Sequence, residues 1–183
     1  MSPKVTLESP RLILRPHRPE DWERIHEYGR DADFSRFEPW GPNSVEDSKK
    51  YVEEMISESE SVPRFKFNMA VELKASRELI GGAGLRRESQ ESAVAGLGWA
   101  IHPGFQRQGY ASEAAARLIQ FGFEKLGLAL IYAICDARNE PSFRVMEKCG
   151  MKRVGILVRD KEVKNHWRDT LRYEIIAPWA LRK

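Results

Sequence analysis

The chain reads as a mixed α/β protein built on a single sheet. Three observations predict this. Short segments that alternate apolar and polar residues, or run apolar throughout, recur from Leu12 to Ile176 and mark six to seven strands. Four longer segments carry apolar residues at three- and four-residue spacing, the period of a helix with one buried face. The two kinds interleave as strand, two helices, three strands, helix, strand, helix, two strands.

Leu12 and Leu14 alternate with Arg11, Ile13 and Arg15 in a first strand. Pro19-Glu20-Asp21-Trp22 opens a helix, with proline and acids in its first turn, and Trp22, Ile25 and Tyr28 form its buried stripe. Phe34 to Pro42 is irregular and aromatic. Ser44 stands three residues before Asp47, the spacing of a capping box. The helix that follows carries Tyr51, Val52, Met55 and Ile56 on one side and ends near Glu58. Phe65 to Leu73 alternates as a half-buried strand. Leu79 to Arg86 is a strand whose glycines suit a closely approaching neighbour, and Val94 to Ile101 is a third. A long helix then carries Ala114, Ala115, Leu118, Ile119 and Phe123 to about Leu126, where Gly127 stops it. Leu130 to Cys135 is the apolar run of a central strand. Asn139 caps a helix that starts at Glu140-Pro141, buries Phe143, Val145 and Met146, and ends at Gly150. Val154–Val158 and Leu171–Ile176 close the sheet, joined by a polar connection from Lys161 to Asp169.

At 183 residues, without repeat, linker or low-complexity tract, the chain is expected to form one domain over 1–183 with a substantial core. Net charge is +3 and the basic residues are spread along the chain, which does not suit specific nucleic-acid binding. No apolar stretch approaches the roughly 18 residues of a membrane span, and the N-terminus lacks an apolar signal core. Cys135 and Cys149 have no metal-ligand spacing and indicate no disulfide framework; the four histidines form no metal signature. A cytoplasmic protein without metal, monomeric or homodimeric, is expected.

The informative stretch is Gln106-Arg107-Gln108-Gly109-Tyr110-Ala111, between the strand ending at Ile101 and the helix opened by Ser112 and Glu113. A glycine at such a join takes positive φ at little steric cost. Successive loop amides then converge on the helix start, where unpaired N–H groups and the dipole attract a phosphate or pyrophosphate. Arg107 adds a full charge. The alternative is an ordinary strand-to-helix turn. A P-loop is excluded because the Gly-Lys-Ser/Thr ending is absent. Gly81-Gly82-x-Gly84 lacks the dinucleotide spacing and leads into charged residues instead of a helix.

Pro103-Gly104-Phe105-Gln106-Arg107-Gln108-Gly109-Tyr110-Ala111-Ser112-Glu113-Ala114 resembles the acetyl-CoA loop of the GNAT acetyltransferase superfamily. Asn139-Glu140-Pro141-Ser142 and Glu147-Lys148-Cys149-Gly150-Met151 stand at the matching distance downstream, and Gly-Tyr-Ala-Ser-Glu-Ala resembles the branch of ribosomal-protein N-terminal acetyltransferases. The resemblance runs from about Leu7 to about Ile176. It implies a mostly antiparallel sheet with helices on both faces, splayed between the fourth and fifth strands of the order above. It also implies acetyl-CoA as co-substrate, its pantetheine arm lying in the gap against backbone groups of Trp99, Ala100 and Ile101. Gln106, Arg107, Gln108, Gly109, Tyr110 and Ala111 would hold its phosphates.

The family reaction is direct attack of an amine on the acetyl thioester. Many members use a tyrosine in the helix after the fifth strand to protonate the leaving thiolate; here that position is Met146, and a thioether donates no proton. The branch resembled carries Asn-x-x-Ser instead, which assigns Ser142 as proton donor and Asn139 as a pantetheine contact. Both also fit plain helix-capping roles. Relatives often carry a glutamate base early in the fourth strand, and here that position is Gly96. The base is left among Glu72, Glu88, Glu91, His102 and water. Cys149 reads as a small buried hydrophobe, so a covalent acetyl-enzyme is not expected. The acceptor, a peptide N-terminus or a small-molecule amine, is expected between the N-terminal helices and the Lys161–Asp169 hairpin. There Phe34, Phe37, Trp40 and Trp167 line a groove or pack as a rim cluster, and Asp169 holds an ammonium or pairs with Arg168 or Arg172. The substitutions at Met146 and Gly96 leave a second reading open: a catalytically weak acyl-CoA-binding or interaction module on the same fold.

Overall fold

A computed structural model describes residues 5–181. Its strands are β1 (Leu7–Glu8), β2 (Leu12–Arg15), β3 (Lys66–Leu73), β4 (Leu79–Arg87), β5 (Val94–Ile101), β6 (Leu130–Asp136), β7 (Lys152–Val163) and β8 (His166–Ile176). The helices are α1 (Asp21–Gly29), α2 (Val45–Glu60), α3 (Tyr110–Glu124) and α4 (Glu140–Lys148). All eight strands share one sheet in the order β1-β2-β3-β4-β5-β6-β8-β7. The strand beyond the expected seven is β1, a two-residue pairing of Leu7 with Leu14 and Glu8 with Ile13, too short to show any alternation. Neighbouring strands run antiparallel except β5 and β6, which are parallel.

Helices cover both faces. Met69 and Val71 of β3 join Ala114, Ala115 and Leu118 of α3 in the main core. Ala70 points the other way, into a second cluster with Ile25 and Tyr28 of α1 and Val52 of α2. With both faces covered, β3 is buried nearly throughout, not half-buried as its alternation suggested; Asn68 and Glu72 are inside with it. Capping follows the sequence closely. The Ser44 hydroxyl accepts from the Asp47 amide and the Asp47 carboxylate accepts from the Ser44 amide. Gly127 and Gly150, past the ends of α3 and α4, take φ of 65° and 77°. In β4, a Cβ on Gly81 would stand 2.1 Å from the Ala100 carbonyl oxygen, the close approach its glycines anticipated.

The two ends of the sheet depart most from expectation. The polar stretch from Lys161 to Asp169 is mostly strand: only Lys164-Asn165 links β7 to β8, with φ of 51° and 63°, the left-handed pair that a two-residue hairpin turn needs. β7 is the outer strand and is exposed along almost its whole length, so it has no buried face to impose apolar alternation.

The second cluster also holds charge. Arg15 donates through Nε to Glu72 at 2.7 Å and through Nη1 and Nη2 to Asp21 at 2.7 and 2.8 Å. His17 lies beside this network, edge-on to Tyr51, with neither ring nitrogen hydrogen-bonded among the described residues. Burial pushes His17 down to about 4 from its ordinary 6.5, against the pull of Asp21. The unfolded chain therefore binds a proton here between pH 6.5 and about pH 4 that the folded chain does not. Stability is expected to fall as pH drops through that window, by about 3 kcal/mol in all from this group. Denaturant unfolding across the window checks this: His17→Phe should flatten the slope, and an unchanged slope would remove His17 as its source.

Candidate active site

The loop after β5 is built from its own polar side chains. The His102 Nδ1 accepts from the Gly104 amide at 3.0 Å, opening a short turn over Pro103–Phe105. Gln106 donates through Nε2 to the Ile101 carbonyl at 2.9 Å, and Gln108 through Nε2 to the Gly104 carbonyl at 3.3 Å. Arg107 and Gly109 then take φ of 60° and 84°. This leaves the amides from Arg107 to Ser112 without an acceptor among the described residues; the first amide to bond back is Glu113, to Gly109. Consecutive amides without a partner thus stand at the start of a fifteen-residue helix, where the helix dipole also favours negative charge. Arg107 is exposed beside it.

Arg11, immediately before β2, holds the loop from below, a long-range contact that no local pattern of residues signals. It donates through Nη1 to the Gln108 carbonyl at 3.1 Å and through Nε to Glu113 at 2.7 Å, and its guanidinium lies 4.4 Å over the Tyr110 ring. Burial raises the Glu113 carboxyl, but the Arg11 amide, Ser9 and the Arg11 side chain together hold it below the usual carboxylate range.

Beyond the loop the sheet opens. β5 and β6 pair only at Val94–Leu130, Ala95–Ile131 and Gly96–Tyr132. Past Gly96, β5 stays with β4 while β6 stays with β8, so Leu97–Ile101 has no partner on its β6 side among the described residues. Trp99, Ala100 and Ile101 thus line one wall of a V by their backbone, although the Ile101 carbonyl is occupied by Gln106 and the Trp99 ring packs on the core. The other wall is β6 and the start of α4. The Asn139 Oδ1 accepts from the Ser142 amide at 3.3 Å and so caps α4. Burial pushes Cys135 and Cys149 up to about 11, so both are thiols, not thiolates. Met146 is in the core at 1 % exposure.

The candidate bases are scattered. Glu72 is buried between Arg15 and Arg77, whose Nε stands 2.8 Å from its other oxygen, on the far side of β4. Glu88 and Glu91 are exposed in the turn that precedes β5, at the opposite end of that strand from the loop. His102 sits between Tyr28 and Phe105; burial, then Arg24, lowers its pKa, and its Nδ1 is already an acceptor. Gly96 has a physical reason. A Cβ there would come within 3.2 Å of the Tyr132 ring and hydroxyl, so Tyr132 fills the space a glutamate side chain would need.

On the remaining side, the β7–β8 hairpin is fastened to the segment between α1 and α2. Lys164 donates through Nζ to the Ser35 carbonyl at 2.6 Å, and Arg168 through Nη1 to the Phe37 carbonyl at 3.5 Å. Phe37 lies 5.7 Å under the Arg138 guanidinium, Phe34 packs edge-on to Tyr28, and Trp40 and Trp167 stay exposed. Asp169 pairs with neither Arg168 nor Arg172. Its Oδ1 accepts from the Arg159 amide at 2.8 Å, and Arg172 bonds Glu174 instead. Asp136, Ala137, Arg138, Trp167, Arg168 and Asp169 line an open pocket of about 140 Å³ at the end of β6.

Residues 11–152 match the family model described as an acetyltransferase (GNAT) domain. The uncharacterized N-acetyltransferase YnaD of Bacillus subtilis (strain 168) is 32% identical over 166 residues, 91% of this chain and 94% of that protein. The acetyltransferase (GNAT family) from Bacillus anthracis superposes with a TM-score of 0.84 at 31% identity, over 94% of this chain and 98% of that one. A spermidine N-acetyltransferase from Vibrio cholerae, solved with CoA and spermine, shares the fold with a TM-score of 0.79 at 22% identity, over 95% of this chain and all of that one. A sheet split between β5 and β6, an amide cradle at its mouth and a family match over most of the chain agree, and the chain belongs to the GNAT acetyltransferases.

Proposed function

We propose that the enzyme binds acetyl-CoA and a primary amine together and transfers the acetyl group by direct attack of the amine, all within the one domain spanning 1–183. The observation that carries this is the V between β5 and β6, with free amides at its mouth and Ser142 in the first turn of the helix that follows β6. The amides from Arg107 to Ser112, with the Arg107 side chain, hold the diphosphate. The unpaired edge at Trp99 and Ala100 meets the amides of the pantetheine arm, and Asn139 holds that arm from the other wall. The thioester supplies the acetyl group, and the Ser142 hydroxyl gives a proton to the departing thiolate. Fixing both reactants in one groove supplies much of the remaining acceleration.

Two observations support an amine acceptor and a direct mechanism. The Vibrio cholerae enzyme of this fold carries CoA and spermine, and both cysteines here are protonated, hence poor nucleophiles. Cys135→Ala and Cys149→Ala are expected to retain turnover within about threefold, since no covalent acetyl-enzyme forms. Loss of turnover in either, with the fold intact, would contradict direct attack. The whole reading is tested by thiol release from acetyl-CoA with N-terminal peptides and polyamines as acceptors. Acetyl-CoA binding without turnover of any amine would favour the binding-module alternative that Met146 and Gly96 leave open.

A further inference from the structure

The pocket at the end of β6 holds two charges that nothing around them answers. Asp136 closes β6 four residues past Tyr132, the last residue paired with β5, so the pocket lies roughly 13 Å beyond the point where the sheet splits. Three residues further on, Asn139 caps α4. The Ala137 amide donates to the Asp169 carbonyl at 2.8 Å and fastens β8 to this wall of the V. Arg168 lines the pocket at 7 % exposure. Its Nε donates to the Thr170 hydroxyl at 3.1 Å and its Nη1 to the Phe37 carbonyl at 3.5 Å. Both acceptors are uncharged, and Arg168 forms no ion pair among the described residues; the Thr170 hydroxyl in turn donates to Asp160. A guanidinium this buried is costly without a counter-charge, and an anion brought into the pocket supplies one. Asp136 cannot, because both its oxygens accept from Arg138, at 2.9 and 2.7 Å. Asp169 commits only Oδ1, to the Arg159 amide, and Oδ2 has no partner among the described residues. Successive strand residues project to opposite faces, so Arg168 and Asp169 meet the pocket from opposite sides.

We propose that this pocket is the acceptor subsite and that its ligand is a free α-amino acid, with the carboxylate on Arg168 and the ammonium on Asp169. This rests on the acetyl-transfer reading above and names its acceptor. A zwitterion is the smallest amine that answers both charges at once. A polyamine brings two or more ammonium groups to a pocket with one open carboxylate oxygen, and Arg168 repels them. A peptide N-terminus offers Arg168 only a carbonyl oxygen, its own carboxylate lying at the other end of the chain. The pocket's volume of about 140 Å³ also falls short of the roughly 300–1,000 Å³ that encloses a drug-sized ligand, which suits a small acceptor. Trp167, half exposed on the rim, gives apolar surface to the acid's side chain.

The test is calorimetric titration of the full chain near pH 7 with a panel of α-amino acids, each beside its carboxamide and its decarboxylated amine, and with spermidine. The best-bound acid is expected to bind about 10- to 100-fold more tightly than its amide or amine, the loss of one charge-assisted pairing. Arg168→Gln should bring that acid and its amide to within about threefold of each other, and Asp169→Asn, which keeps an oxygen for the Arg159 amide, should weaken the acid about tenfold. Acetyl-CoA affinity should not change in either variant. The comparison among ligands uses the unaltered chain, so it decides even if Arg168→Gln, which also loses its bonds to Phe37 and Thr170, does not fold. Acid and amide bound alike, spermidine bound more tightly than every acid, or no acid bound at all would overturn the assignment. An acid that binds while no amine of any class is acetylated would leave the pocket's ligand standing and remove the transfer reading. Peptides or polyamines acetylated in preference to every acid would remove this assignment and leave that reading.

Discussion

Gly109→Val is expected to weaken acetyl-CoA binding by on the order of 10³-fold, the loss of strained backbone and cradle together. The cause is backbone conformation, not crowding. A Cβ at Gly109 would meet only the Arg11 Nη2, at 3.5 Å, which is ordinary contact. But Gly109 sits at φ 84°, where a β-branched residue is a genuine outlier costing roughly 1–3 kcal/mol. The variant escapes that cost by turning the loop to negative φ, and the amides from Arg107 to Ser112 then no longer converge. The rest of the fold has no part in this, because α3 is held by Ala114, Ala115 and Leu118 in the core. Calorimetric titration of a variant with an unchanged melting temperature makes the measurement; affinity within a few-fold of the unaltered protein would mean that the loop is only a turn.

Ser142→Ala is expected to lower turnover at saturating substrates by roughly 10²- to 10³-fold, the contribution of a positioned proton donor. Acetyl-CoA affinity should change little. The backbone amide of Ser142, not its hydroxyl, bonds Asn139, so the capping of α4 survives the substitution. The tyrosine used elsewhere in the family has no counterpart, since Met146 is buried, and the Tyr173 hydroxyl is bonded to Glu147 at 3.2 Å. Turnover unchanged in Ser142→Ala would remove it as the donor.

The sequence showed the parts whose physics is local. The capping box at Ser44, the Asn139 cap, the glycines that end α3 and α4, and the loop at Gly109 each follow from a residue type and its near neighbours. The opening between β5 and β6 came from family likeness, because strand pairing past Gly96 is a long-range fact that no alternation encodes. Two features escaped for related reasons. Arg11 closes the loop from a strand far away in the chain. The β7–β8 hairpin is an exposed arm, and without a buried face its strands look like a polar loop.

We place acetyl-CoA in the V between β5 and β6, entered past the amides at its mouth. Titration of the purified protein with acetyl-CoA and with desulfo-CoA tests it most directly. Micromolar binding of both is expected, because the cradle reads the diphosphate and the strand edge reads the pantetheine amides, and neither needs the sulfur. Binding of neither would contradict it.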